Sequence, residues 1–376
     1  MFSIALRERL LPRFQNALAF VEVQAQRILD DHPGYSPMYT VDGKWGREGE
    51  RWTHWCEGFF PGILWLLFKQ TGDARWCAPA EQMTRSLAPR RFDRAVHDLG
   101  FLFLSTSMRW YHLDGNPDQR EILIDAGRTL ALREQRGGYL ASFIGPESLF
   151  IDIMMNVGVI FWAANASGDT ALRDVALRHC RTTANHLVRS DGGTAHEGIF
   201  DLATGKFVRE STHQGWRADS TWSRGLAWSL YGFTAAFRLS GEREFLEVAR
   251  RNAEFYLRRT PAGLVPYWDY NLPADQAALW DSSAGAIAAS GLWDLGEAVQ
   301  NPEEKDRYHT AALTILDTLC GEPFLAQGHL GWEGILRHGI YHYHKNLGVD
   351  ESVAWGEHFF CEALVKALAG RSDAAW

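Results

Sequence analysis

The sequence lacks any run of about 18 apolar residues of the kind that crosses a bilayer, so no membrane span is expected. Cysteine is scarce. The five present, Cys56, Cys77, Cys180, Cys320 and Cys361, are an odd number, lie far apart and form no CxxC pair. That spacing argues against a disulfide framework or a zinc site. Positive charge is in deficit: 38 Lys and Arg against 46 Asp and Glu leave a net charge of −8. With no basic stripe to displace counterions, neither nucleic acid nor an anionic membrane is an expected partner. There is no GxSxG elbow, no GxxxxGK[ST] loop, no HExxH and no GxGxxG after a strand. The sequence signals of serine-hydrolase, nucleotide-binding and zincin chemistry are therefore missing. No Ser- or Gln-rich linker and no charge run interrupts the 376 residues, and a single domain over 1–376 is expected. The opening MFSIALRERLLPRFQNALAF holds Arg and Glu within its apolar stretch. It reads as an amphipathic helix and not as a secretory leader, which implies a cytoplasmic protein.

Apolar and aromatic residues are plentiful. Hydrophobic residues are 46% and charged residues 22%, enough to bury a core and exclude disorder. Aromatics reach 13%, with 16 Trp. Such rings fill large cores, and they also build clefts where an apolar ring face packs on a sugar.

Two kinds of helical segment alternate. Residues 173–188, 243–259 and 305–320 carry one apolar stripe opposite a charged face, as outer-layer helices do. Between such segments lie others that are apolar almost all round and rich in Gly, Ala and Trp, as helices buried on most sides are. The buried kind follows an acidic residue six times, at Glu57, Asp98, Asp152, Asp219, Asp281 and Asp350-Glu351. Starts recur every 40 to 70 residues or so, room for an inner helix, a turn, an outer helix and a return loop. Gly72, Gly115, Gly168 and Gly241 read as helix stops. Six such hairpins can close into an all-α (α/α)6 toroid, with carboxylates and long loops gathered at one end. Each acid could equally be an N-cap, stabilised at a helix start by about 0.3–1 kcal/mol.

Asp98, in AVHDLGFLF beside His97, and Asp152, in SLFIDIMMNVG, lie in the most apolar surroundings. Burial there raises a carboxyl pKa toward the range useful for acid–base chemistry. A second constellation contains His196, Gln214, Trp216, Arg217, Asp219, Trp222, Arg224 and Trp228. On a helix, Arg224 and Trp228 share a face. That pair suits a carboxylated sugar, the guanidinium on the carboxylate and the indole on the ring. Arg224 could equally pair with an internal acid. Trp216 and Arg217 read as loop surface. His338, His342 and His344 match no common metal spacing, and no metal and no cofactor is expected.

HDLGF (97–101), IDIMMN (151–156), DSTWSRGLAW (219–228), DSSAGAIAASGL (281–292) and GVDESVAWGEHFFCEAL (348–364) occur in an order that resembles glycoside hydrolase family 88, the unsaturated glucuronyl hydrolases. The resemblance implies an (α/α)6 barrel. It also implies an activity: hydration of the C4=C5 vinyl ether of a terminal 4,5-unsaturated uronic acid on lyase-generated oligosaccharides, its expected partner. By this resemblance Asp152 is the acid/base and Asp98 the second carboxylate, with His97 beside it. Sugar or carboxylate contacts fall on His196, Gln214, Arg224 and Trp228, an aromatic platform on Trp55 and a tyrosine contact on Tyr341. The His-rich HGIYHYHK loop and Phe60, where a Trp is expected, depart from the pattern. A monomer or weak homodimer is expected. The competing readings are an unsaturated galacturonyl-rhamnose hydrolase, an ordinary two-carboxylate glycosidase, a sugar epimerase and a non-catalytic sugar-binding toroid.

Overall fold

Helical segments with a single apolar stripe and segments apolar all round sort into two layers in the computed structural model, which describes residues 2–46, 54–276 and 278–372. In chain order the helices are α1 (Phe2–Asp31), α2 (Phe59–Thr71), α3 (Cys77–Leu87), α4 (Leu99–Phe103), α5 (Ser107–Asp114), α6 (Pro117–Ala131) and α7 (Gly158–Ser167). They continue as α8 (Thr170–His186), α9 (Ser223–Ser240), α10 (Arg243–Arg259), α11 (Ser282–Ala298), α12 (Pro302–Leu319) and α13 (Ala354–Ala369). The outer layer is α1, α3, α6, α8, α10 and α12. In α10 only the stripe Phe245, Leu246, Val248, Ala249, Asn252, Ala253, Phe255 and Tyr256 is buried. The inner layer is α2, the α4–α5 pair, α7, α9, α11 and α13. Every residue of α11 from Ser282 to Gly296 is buried. Helix α13 packs against both α2 and α11, and α1 against α12 and α13, which closes the ring. The result is the expected (α/α)6 barrel.

Small residues set how closely the inner helices approach. A Cβ on Gly291 of α11 would lie 3.1 Å from the Tyr231 Cα of α9. One on Gly232 would lie 2.5 Å from the Met154 carbonyl. The inner helices α2, α5, α7 and α9 end at Gly72, Gly115, Gly168 and Gly241, each with positive φ, as the sequence predicts.

The helix starts depart from a uniform acidic cap. Of the six acids, Asp281 caps in the ordinary way, accepting from the Ser283 and Ala284 N–H groups. Asp98 stands at the start of α4 without a side-chain cap bond. Asp152 lies inside a 3₁₀ turn, Ile151–Met155, ahead of α7. Helix α9 begins at Ser223, and Asp219 is surface, paired with Arg217 at 2.8 Å. Asp350 bonds His338 at 2.5 Å in a hairpin. The segment after Asp98 forms two helices, which part at Leu104–Thr106, where the Thr106 hydroxyl donates to the Leu102 carbonyl at 2.6 Å.

Short strands lie beside the inner-helix N-termini. They are β1 (Thr40–Val41), β2 (Lys44–Trp45), β3 (Ser148–Phe150), β4 (Glu197–Phe200), β5 (Phe207–Ser211), β6 (Gly339–His342) and β7 (Leu347–Glu351). All pairings are antiparallel: β1 with β2, β4 between β3 and β5, and β6 with β7.

The other half of the barrel interior is closed by charge. Lys366 donates to Asp294 and Ser290, each at 2.8 Å, and to Glu362 at 2.9 Å. Glu362 also takes Arg109 and, at 2.7 Å, the Tyr231 hydroxyl. All six residues are buried, and together they join α5, α9, α11 and α13. Among the described residues no helix is long and apolar enough to cross a membrane.

Candidate active site

A cavity of about 320 Å³ opens at the inner-helix N-terminal end, a volume suited to one small sugar-sized ligand. Residues at or near the starts of inner helices line it, namely Trp55 before α2, His97 and Asp98 before α4, Asp152 before α7 and Arg224 in the first turn of α9, together with Gln214 from the loop ahead of α9 and Tyr341 from β6. Seven of the nine site residues named from sequence therefore meet in one place. His196 and Trp228 do not line it.

The two carboxyl groups are held alike. Asp98 and Asp152 are 5% and 9% exposed. His97 Nε2 lies 3.3 Å from Asp98 Oδ1, while its Nδ1 accepts the Phe143 N–H at 3.1 Å. An Nδ1 that accepts leaves the ring proton on Nε2, pointing at the carboxyl. His196 repeats the arrangement. Its Nδ1 accepts the His213 and Gln214 N–H groups at 3.0 and 3.3 Å, and its Nε2 lies 3.6 Å from Asp152 Oδ2. The Ile151 N–H donates to the His196 carbonyl at 2.9 Å, which brings β4 alongside the Asp152 turn. Phe150 stands between the histidines, its ring centroid 4.7 Å from His196 and 5.7 Å from His97.

Burial sets the protonation states. Desolvation, reinforced by the Asp152 charge and opposed by Arg133 and Arg90, pushes Asp98 up to about 8. Desolvation, opposed by Arg224, raises Asp152 to about 6. Asp98 is thus neutral while Asp152 titrates. Burial keeps both histidines neutral, His196 near 3 and His97 well below its ordinary value.

Arg224 takes the internal role left open by the sequence. One Nη donates to Asp281 at 3.2 Å and to the Ile340 carbonyl. The other donates to Gln214 Oε1 at 2.6 Å and to the Tyr341 carbonyl at 2.8 Å. Those four bonds use all four Nη hydrogens, so the bidentate sugar clamp is corrected. The guanidinium instead orients Gln214 and anchors β6. Its aromatic neighbours are Trp222 at 4.4 Å and Trp355 at 5.1 Å. Trp228 is also corrected: it is 1% exposed and packs on Phe101 and Phe359, one turn below the cavity. His196 sits behind Asp152 and not on the cavity wall. Trp55 lines the wall with its centroid 4.7 Å from Trp355 and 6.4 Å from Tyr341.

Sequence reasoning missed Phe101, Phe143, Ile144, Phe150, His213 and Lys345, which complete the lining with His342, a loop histidine read from sequence as bonding sugar hydroxyls or backbone more readily than a metal. His213 lies 3.4 Å from the buried Glu197, and burial lowers His342 to about 4. Adjacency to Gln214 was the one signal for His213.

The Glycosyl Hydrolase Family 88 model matches residues 28–368. An unsaturated glucuronyl hydrolase of Bacillus sp. strain GL1 is 33% identical over 330 residues, covering 85% of this chain and 87% of the relative. An unsaturated chondroitin disaccharide hydrolase of Streptococcus pyogenes serotype M1 is 32% identical, covering 84% and 81%. The crystal structure of the unsaturated glucuronyl hydrolase from Bacillus sp. GL1 superposes with a TM-score of 0.90 at 30% identity, covering 96% of this chain and 99% of that one. A barrel with paired buried carboxyl groups at its mouth, matched along nearly its whole length, belongs to Glycosyl Hydrolase Family 88, and the chain is a glycoside hydrolase.

Proposed function

We propose that this protein removes the terminal 4,5-unsaturated uronic acid from oligosaccharides left by a polysaccharide lyase, by hydrating the C4=C5 double bond. The observation that carries the reading is the pair of buried carboxyl groups facing one cavity, each beside a neutral histidine whose Nε2–H is directed at it.

Asp152, near 6, passes between acid and base at mildly acidic pH. Its proton goes to C4, and the cation that develops at C5 and the ring oxygen lies beside the new Asp152 carboxylate. Water then adds to C5 and returns a proton to Asp152. The C5 hemiketal opens by breaking its bond to the ring oxygen. The hemiacetal left at C1 expels the leaving sugar as an alcohol, and the uronate departs as a 5-keto-4-deoxy product. Asp98, neutral through this range, donates a hydrogen bond to the substrate without adding a second negative charge. Gln214, its Oε1 held by Arg224, presents its amide N–H groups to the uronate carboxylate. Trp55 and Tyr341 supply the ring platform.

The test is incubation with lyase-generated disaccharides from chondroitin, hyaluronan, heparin, gellan and xanthan, with an unsaturated galacturonyl-rhamnose disaccharide beside them. The expected result is loss of the ultraviolet absorbance of the double bond with release of the partner sugar. Cleavage of saturated glycosides with the absorbance untouched would overturn it. We also read the protein as cytoplasmic and as a monomer or weak homodimer. The absence of a disulfide among its five cysteines is in keeping with a reducing compartment.

A further inference from the structure

Asp98 and Asp152 belong to different hairpins, and a buried side chain that lines no part of the cavity joins their backbones. Asn156, 0% exposed, follows the 3₁₀ turn that carries Asp152. Its Nδ2 donates to the Asp152 carbonyl at 3.2 Å. Its Oδ1 accepts the N–H of Phe101, three residues after Asp98, at 2.8 Å. The two segments touch main chain to main chain at this point. A Cβ on Gly100 would sit 2.3 Å from the Asn156 Cα and 2.8 Å from its carbonyl oxygen, so a side chain there would force the segments apart.

The linkage demands an amide. The group must donate at one end and accept at the other, across a gap sized for a single methylene. An Asp carboxylate would face the Asp152 carbonyl with an acceptor, and a Leu would leave two buried backbone groups unpaired, at about 1–3 kcal/mol each.

We propose that Asn156 is a positioning residue that fixes the spacing and relative orientation of the Asp98 and Asp152 carboxyl groups. The proposal rests on the reading that those two acids perform the chemistry. The charged and titratable groups facing them are His97, Arg133, Arg90 and Asp93 around Asp98, and Arg224 and His196 around Asp152. None of these is bonded to the Asn156 side chain, so changing Asn156 alters the distance between the acids without removing their other neighbours.

The test uses N156S, which shortens the link, and G100A, which keeps the amide and wedges the segments apart. E362Q, in the charged cluster at the far half of the barrel, matches them for stability loss without touching the site. D98N and D152N report on the acids themselves. Thermal melting identifies which variants fold, and kcat, KM and the pH profile are measured on those. In N156S and G100A, kcat falls by about 10- to 100-fold, the scale of an ångström of misplacement. KM stays within about twofold, and the two apparent pKa values of the profile move relative to each other. E362Q keeps both kcat and profile. Folded N156S and G100A with wild-type kcat and profile, beside D152N crippled in kcat and D98N lacking the upper step of the profile, overturn the positioning role alone. D152N with wild-type kcat overturns the reading of the site itself.

Discussion

His196 Nε2 and Asp152 Oδ2 face each other at 3.6 Å, and neither atom has a hydrogen-bond partner among the described residues. Two buried polar atoms held just beyond bonding distance cost stability, and the arrangement leaves the Asp152 oxygen poised to gain or lose a proton. Asp152→Asn is expected to lower kcat by about 10²- to 10⁴-fold, the usual contribution of a positioned acid or base. Its melting temperature should be unchanged or higher. Near-normal kcat in this variant would refute the assignment.

The pH dependence has a definite sign. If protonated Asp152 is the acid, kcat/KM declines as pH rises through about 6. If Asp98 must remain neutral, a second decline follows near 8. Asp98→Asn should remove the upper step and leave the lower one. Stability is linked in the same direction. The folded pKa of Asp98 lies above its unfolded value near 3.8, so the folded state holds the proton more tightly. Stability is fully present below that unfolded value and is lost as pH rises toward 8, by about 1.4 kcal/mol per unit between the two. Asp98→Asn should therefore melt higher than wild type at pH 7 and nearly level with it at pH 4, by calorimetry.

Arg224→Lys replaces a planar fork with a single point of charge. It leaves Asp281, 0% exposed, with a poorer partner and frees two carbonyls of β6. A stability loss of about 3–5 kcal/mol in urea is expected, with a higher KM as Gln214 loses its orientation. A stable variant whose KM alone changes would show that the guanidinium contacts substrate directly.

The two tryptophans should behave oppositely. Trp228→Phe removes core volume below the cavity, so it should cost about 1–3 kcal/mol while leaving KM alone. Trp55→Ala should raise KM at least several-fold with a smaller effect on folding, because Trp55 lines the wall. Steady-state kinetics on both variants decide the point.

Most of the ring was legible in the sequence because helix layers write themselves as periodicity. An outer helix such as α10 shows a stripe, and an inner one such as α11 shows none. The glycine stops were legible for the same local reason. The acids were only half legible. An acid before an apolar run signals a helix start, yet it does not separate the cap Asp281 from the uncapped Asp98 or the surface Asp219. Helical spacing placed Arg224 and Trp228 on one face, but four residues is also a rise of about 6 Å, and the cavity floor falls between them. Phe143, Phe150 and His213 reach the site through the β3–β4–β5 sheet and its connections. No periodicity records such long-range pairings.

Arg224 grips β6 through the main-chain carbonyls of Ile340 and Tyr341 and not through their side chains. This part of the anchorage of β6 is therefore independent of the side chains at 340 and 341, although Glu351 of β7 adds side-chain bonds to Thr40, Asp42 and Gly43. The guanidinium can therefore hold this strand at the cavity wall whatever side chains it presents there.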